Sequence, residues 1–359
     1  MPSDEYANQL LTPPNFIALK RTESTFDEIP VIDIKAAFGD NEEARRELAD
    51  LIRDACINVG FFYIKSHGIP EEIIDNTIAV AREYFSLPEE TKIELDIHKS
   101  LNYKGYTALL GENTDSKGNG DLHEGFDLGW ETPLNGNTSD VGSVPRKDGA
   151  MAGENVWPKN PAGFKEAVLE YYHRALHVGK RLFPLFALAL DLPENYFNDK
   201  TTKPAAIMRL LHYPPQDPTS FEKDPEGRQI GIGAHTEYAD HYLCFTMLWQ
   251  DDNGGLQVQN MAGNWVDAVP IPGTLVVNLG DQFARWTNDI FKSTHHRVIN
   301  RSGAERYSIP LFFGTDYDVL LKPIPTCLTP GSPYKYEVMT AGEYVKSRLE
   351  ATYAHSSKD

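Results

Sequence analysis

LCFTMLWQDDNGGLQVQNMAGNWVDAVPIPGTLVVNL, residues 243–279, contains four short apolar runs, at 243–250, 255–260, 264–269 and 273–279, separated by Asp, Asn, Gly and Pro. Runs of this length, rich in Val, Leu, Phe and Trp and punctuated by turn formers, read as strands. MAGN (261–264), set between LQVQ and WVDA, reads as a hairpin turn. The pattern continues on both sides, with runs at 206–213, 229–236, 293–300 and 305–313. Eight strands at roughly ten-residue spacing predict an antiparallel sandwich or barrel and argue against a βαβ array.

Upstream of Pro204 helices dominate. IPVID (29–33) and GFFYIK (60–65) read as strands. NEEARRELADLIRDACI (41–57) carries apolar residues at helical spacing with acids early, and EEIIDNTIAVAREYFS (71–86) is a second helix, ended by Leu87-Pro88. Residues 100–160 are rich in Gly, Asn, Asp and Pro and read as long loops; 162–190 is a long, mostly buried helix. In MTAGEYVKSRLEATY (339–353), Thr340 and Glu343 have capping-box spacing, which predicts a final helix. The fold class expected is mainly β with helical cover: a double-stranded β-helix (jelly roll, cupin-like) core plus an N-terminal α/β region. Residues 1–27 read as a loosely ordered arm, 28–160 as the N-terminal region and 161–359 as the core with its C-terminal helix.

The 359 residues carry 34 Lys and Arg against 52 Asp and Glu, a formal charge of −18. So acidic a molecule repels phosphate backbones and anionic lipid, which argues against nucleic-acid and membrane partners. Cys56, Cys244 and Cys327 are scattered, without a CxxC pair, so neither a disulfide framework nor a thiolate zinc site is expected. MPSDEYANQLLTPP at the start has no basic segment or apolar core, and the Leu182–Leu190 run, broken by Pro184, is too short to span a bilayer. A cytoplasmic protein with a small-molecule substrate is the expectation.

Polar side chains are costly inside a β-body, and two groups of them fall there. His235 and Glu237 are two apart at the end of one strand and so share a face. His295, His296 and Arg297 open another strand, 296 − 235 = 61 residues on. A second imidazole from a neighbouring strand would give two histidines and one carboxylate on one face of a metal, leaving positions open for O₂ chemistry. The alternative is two structural histidines and a surface glutamate. Arg306 and Ser308 share a face of the last strand. A guanidinium beside a hydroxyl is a receptor for a carboxylate, unless the arginine pairs with a core acid.

Together these stretches resemble the iron(II)- and 2-oxoglutarate-dependent dioxygenases, in the isopenicillin-N-synthase-like branch. The stretches are RLLHYPP (209–215), GAHTEY (233–238), GGLQV (254–258), NLGDQFARWTND (278–289), KSTHHRV (292–298) and RYSIPLFF (306–313). IPVIDI (29–34), GFFYIKSHGIP (60–70) and YFSLPEETK (84–92) resemble that branch's helical region, and LHEGFDLGWE (122–131) looks closest to fungal members.

The resemblance implies Fe(II), 2-oxoglutarate as co-substrate, O₂, and ascorbate as reductant in vitro. It makes His235 and His296 the imidazole ligands, His296 standing directly before Arg-Val. Arg306 and Ser308 would hold the distal carboxylate of 2-oxoglutarate, with Tyr213 near it. The third ligand departs from the family's His-x-Asp: here it is Glu237, with extra residues within 239–243. A glutamate is one methylene longer, about 1.5 Å, where metal–ligand distances tolerate about ±0.2 Å. The lengthened turn would compensate; Asp240 is the rival ligand and His241 a remoter one. Asn102, Tyr106, His123, Glu124 and Phe126 are candidate substrate contacts from the glycine-rich loop. The implied activity is oxidation of an unactivated C–H of a small molecule (hydroxylation, desaturation or cyclisation) in specialised metabolism. Alternatives are a 2-oxoglutarate-independent oxidase, ethylene-forming breakdown of 2-oxoglutarate, or a non-catalytic binding protein.

Overall fold

The computed structural model describes residues 25–114, 120–133, 152–216, 231–236, 243–328, 331 and 333–354. The strands are β1 (Val31–Asp33), β2 (Phe61–Lys65), β3 (Gly105–Thr107), β4 (Glu124–Leu128), β5 (Ala206–Tyr213) and β6 (Ile232–His235). They continue with β7 (Phe245–Gln250), β8 (Leu256–Gln259), β9 (Trp265–Asp267), β10 (Thr274–Leu279), β11 (His296–Val298) and β12 (Arg306–Phe313). Helices are α1 (Glu42–Asn58), α2 (Glu71–Phe85), α3 (Glu89–Lys92), α4 (Phe164–Ala189), α5 (Asp281–Trp286) and α6 (Ala341–Ala354).

All eight expected runs are strands, and they divide four and four between two sheets. The minor sheet has the order β6-β11-β8-β9. The major sheet has the order β1-β2-β10-β7-β12-β5-β4-β3, so N-terminal strands extend both its edges. This is a jelly-roll core with helical cover. One expectation is corrected. The 100–160 stretch, read as loops, contributes β3 and β4, and β4 pairs antiparallel with β5. Asp281 begins α5.

Strand alternation sorts the core into two parts. Phe62, Ile64, Met208, Leu210, Leu275, Val277, Tyr307 and Ile309 pack in the cluster that α1, α2 and α4 cover. Phe61, Tyr63, Leu211, Tyr213, Val276 and Val298 pack in the smaller cluster between the sheets. Both faces of the major sheet are therefore buried, which explains its near-continuous apolar runs.

Helix ends follow local chemistry. The Asn41 side chain accepts from the Ala44 N–H at 3.1 Å, with Glu42 and Glu43 in the first turn of α1. The capping box at α6 closes reciprocally: Glu343 Oε2 accepts from the Thr340 N–H at 2.8 Å, and Thr340 Oγ1 from the Glu343 N–H at 3.1 Å. Pro184 lies inside α4, where it has no N–H for the helix ladder. Flanking Phe183 and Phe186 hold the helix through it by packing on Phe245 (5.5 and 5.2 Å between ring centroids) and Phe283 (5.9 and 5.0 Å). Such ring pairs contribute about 0.5–1.5 kcal/mol each beyond area burial.

Gly179 is where α4 approaches the sheet. A Cβ there would stand 2.5 Å from Cδ2 of Phe313, whose ring is stacked on Phe245 at 5.3 Å. Glycine to alanine in an open helix gains about 1 kcal/mol. Here overpacking, typically about 1–3 kcal/mol, outweighs that gain. Gly179→Ala is expected to lower the urea midpoint with an unchanged slope; a raised midpoint would show that Phe313 can yield.

Candidate active site

Five residues singled out from the sequence, Tyr213, His235, His296, Arg306 and Ser308, line one cavity of about 50 Å³ between the sheets. His235 and His296 come from the minor sheet, where they are direct partners across β6 and β11. Tyr213, Arg306 and Ser308 come from β5 and β12 of the major sheet, where Arg306 pairs with Tyr213. Phe61, Leu248, Leu256 and Val298 supply apolar wall, and Thr246 and Asn278 add polar groups. His295, on the opposite parity from His296, is exposed and with Thr236 faces a separate cleft of about 540 Å³.

The two imidazoles lie 4.3 Å apart between centroids, with the Phe61 ring edge-on to His296 at 5.2 Å. Nδ1 of His235 engages the Gly233 carbonyl at 2.7 Å, and Nδ1 of His296 the Thr294 carbonyl at 3.0 Å. A carbonyl can only accept, so each Nδ1 bears the hydrogen and the lone pair of each neutral ring is on Nε2. Burial holds His235 below its ordinary pKa; burial and the neighbouring His235 hold His296 well below. Two buried, neutral, orientation-fixed imidazoles are a donor set suited to a divalent first-row metal. Among the described residues no further His, Cys, Asp or Glu joins them to make a ligand group of three. Glu237 and its rival Asp240, like His241, lie outside the described residues.

Arg306 is 0% exposed. Its Nε donates to the Gly254 carbonyl, Nη1 to Ser308 Oγ at 3.2 Å and Nη2 to Gln250 Oε1 at 3.2 Å, and it lies 4.7 Å over the Tyr213 ring. These partners are neutral, and among the described residues no carboxylate pairs with it. Two glycines make the arrangement possible. Gly254 and Gly255 have φ of 67° and 100°, and a Cβ on Gly255 would stand 2.7 Å from the Ile299 carbonyl oxygen. An enclosed guanidinium without a counter-anion is costly, so this pocket favours a carboxylate ligand.

The other sequence candidates divide by strand parity. On β4, Glu124 and Phe126 face the helices. Glu124 accepts from Lys92 Nζ and Tyr106 OH, each at 2.6 Å, and meets His212 Nδ1 at 2.7 Å. Phe126 packs on Tyr84 and Phe164, both at 5.3 Å. Asn102 is held by Ser100 and, at 3.0 Å, by the Glu154 carbonyl. The structure thus brings Asn102, Tyr106, Glu124 and Phe126 to structural positions away from the cavity. His123 alone of the five stands near it, 5.6 Å from the Tyr213 ring.

His123 belongs to a buried charge network that the sequence reading missed. Arg209 forks onto Glu112 (2.8 and 2.9 Å) and gives its Nε to Asp127 at 2.8 Å; His123 Nε2 meets Glu112 at 3.2 Å. Residues 209, 211 and 213 share one face, so the available signal was the parity of RLLHYPP itself. Burial raises the Glu112 carboxyl, but Arg209 and His123 bring it down to about 2. Burial, opposed by Arg209 and reinforced by the Glu112 charge, pushes Asp127 up to about 6.

Two family models match the chain: the non-haem dioxygenase in morphine synthesis N-terminal model over residues 29–160, and the 2OG-Fe(II) oxygenase superfamily model over residues 204–315. The chain belongs to the 2OG-Fe(II) oxygenase superfamily, in the isopenicillin-N-synthase-like branch. It is an Fe(II)- and 2-oxoglutarate-dependent oxygenase, with O₂ as co-substrate. It is 34% identical over 337 residues to the 2-oxoglutarate-Fe(II) type oxidoreductase hxnY of Emericella nidulans, covering 91% of each chain. It is also 34% identical over 342 residues to homoarginine-6-hydroxylase 2-ODD-C23.1 of Arabidopsis thaliana, covering 92% of this chain and 98% of the other. Among solved structures, a full-length Neurospora crassa protein in complex with alpha-KG superposes with a TM-score of 0.77 at 30% identity, over 90% of this chain and 96% of that one.

The raised Asp127 value sets a pH dependence. Its proton is held more tightly in the folded than in the unfolded chain, so ionisation between about pH 4 and 6 weakens the fold. Asp127→Asn lacks that penalty. Its stability relative to wild type is expected to rise from pH 4 to pH 7 in denaturant titrations; a flat difference would mean that Asp127 titrates normally.

Proposed function

We propose that this oxygenase oxidises an unactivated C–H of a small organic molecule, with iron held by His235, Glu237 and His296 and 2-oxoglutarate by Arg306, Ser308 and Tyr213. The observation that carries the reading is Arg306, a fully buried guanidinium whose described partners are all neutral. Bound iron, 2-oxoglutarate and O₂ supply the oxidising power: one oxygen atom goes to the substrate C–H and the other to succinate, with release of CO₂. Arg306 pairs with the distal carboxylate, Ser308 adds a hydroxyl donor, and the Tyr213 ring supports the guanidinium face. The Gly233 and Thr294 carbonyls keep each imidazole turned with Nε2 toward the metal. Apolar Phe61, Leu248, Leu256 and Val298 exclude water from the reacting centre.

The chemistry is assigned to residues 161–359, with 28–160 walling the substrate side. Hydroxylation is favoured over desaturation or ring closure by the resemblance to a homoarginine hydroxylase. Three buried, free cysteines accord with a reducing, cytoplasmic setting. Among the described residues no helix is long and apolar enough to cross a membrane.

Purified protein with Fe(II), 2-oxoglutarate and O₂ is expected to release succinate, and none above a metal-free control would overturn the reading. Arg306→Gln removes two charge-assisted bonds worth about 1.5–3 kcal/mol each, so 2-oxoglutarate affinity should fall about 100-fold or more. Glu237→Ala is expected to lose iron while Asp240→Ala keeps it; the reverse would transfer the ligand role to Asp240.

A further inference from the structure

The inner face of the major sheet carries a polar wall beside the cavity. One row runs Thr107, Gly125, Leu211, Ser308 across β3, β4, β5 and β12, each residue opposite the next. Leu211 and Ser308 line the cavity, so Thr107 and Gly125 share its face. The neighbouring row holds Asp127 opposite Arg209, with Asp127 two residues from Gly125 and so on the same face.

Two polar atoms on this wall are sealed from solvent and, among the described residues, without a partner: Thr107 Oγ1 and Asp127 Oδ2. Their residues are 3% and 4% exposed. Nearby carboxylates are satisfied. Both Glu112 oxygens take Arg209, and Asp121 takes the Gly233 N–H at 2.9 Å and the Thr114 N–H at 2.8 Å. Asp127 Oδ2 is thus the one carboxylate oxygen of the group left over among the described residues. Asp121, with the His123 Nδ1 contact to the Gly231 carbonyl at 3.0 Å, ties this wall to β6, the strand that carries His235.

We infer that Asp127, with the Thr107 hydroxyl diagonally placed on the same face of the neighbouring strand, receives a cationic nitrogen group of the substrate, an ammonium or a guanidinium. The assignment rests on the iron and 2-oxoglutarate reading above. Both orphan oxygens have lone pairs to offer, and ammonium and guanidinium groups carry donors only. Glu112, Asp121 and Asp127 outnumber the two cations, Arg209 and His123, whose ring nitrogens both face acceptors, so a further cation balances the wall where an anion would be repelled. An apolar group would leave both oxygens buried and unsatisfied.

Three probes with one butyl chain but different charge test this: n-butylguanidinium, its neutral isostere n-butylurea, and pentanoate. Each is titrated without oxygen into full-length protein already loaded with Mn(II) and 2-oxoglutarate, the loading being measured first. n-Butylguanidinium is expected to bind about tenfold or more tightly than n-butylurea, with pentanoate weakest. Asp127→Asn keeps an oxygen for Arg209 and should shrink that preference to about threefold or less; Thr107→Val should reduce it partway. Equal binding of the neutral and cationic probes, as for a site that holds only water, overturns the assignment. So does a preference that survives in both variants. The wild-type ranking decides by itself if a variant does not fold. Loading that fails overturns the underlying reading as well, whereas loading without cation preference overturns this assignment alone.

Discussion

A strand gives alternate side chains to opposite faces, and the major sheet here is enclosed on both. Helices cover one side and the minor sheet the other, so each residue on β5 or β12 is committed either to the helix-packed core or to the barrel interior. Arg306 and Ser308 face the interior while Tyr307 and Ile309 face the helices. Every functional group that the major sheet contributes depends on that division. It lets a charged receptor exist one residue away from apolar packing without either disturbing the other.

Charge in the interior is handled in two ways. Glu112, Arg209, His123 and one oxygen of Asp127 satisfy one another, a closed network in surroundings whose low dielectric strengthens each contact. Arg306 is surrounded instead by a carbonyl, a hydroxyl and an amide. A closed network stabilises architecture, whereas a guanidinium held only by dipoles keeps its charge available. The difference separates the scaffold from the co-substrate pocket more clearly than sequence position does.

Much of the architecture was legible because it rests on local chemistry. Apolar runs broken by Gly, Asn and Pro marked all eight jelly-roll strands, and the early acids of 41–57 and the Thr340–Glu343 pair marked helix starts. β3 and β4 were not legible. They are short and lie among turn formers; β4 becomes a strand by pairing with β5, about eighty residues further on and invisible to a local window, and β3 by pairing with β4. Read as a loop, that stretch shows no alternation: Tyr106, Glu124 and Phe126 then read as substrate contacts although they face the helices, and the inward Thr107 and Asp127 give no signal. The cavity histidines and Arg306–Ser308 were legible because polar pairs two apart in apolar strands leave few placements.

The consecutive histidines at the start of β11 carry a further consequence. A one-residue slip of this strand against β6 and β8 would bring His295 to the inward position and still present an imidazole, so these rings alone cannot fix the alignment. Their neighbours can. The same slip would drive Arg297 into the apolar space now filled by Val298, and would strip its guanidinium from the Trp265 ring, 4.0 Å away, and from Gln257 Oε1 at 2.9 Å. An arginine on the outer surface, remote from any chemistry, thereby proofreads which of two identical side chains enters the barrel.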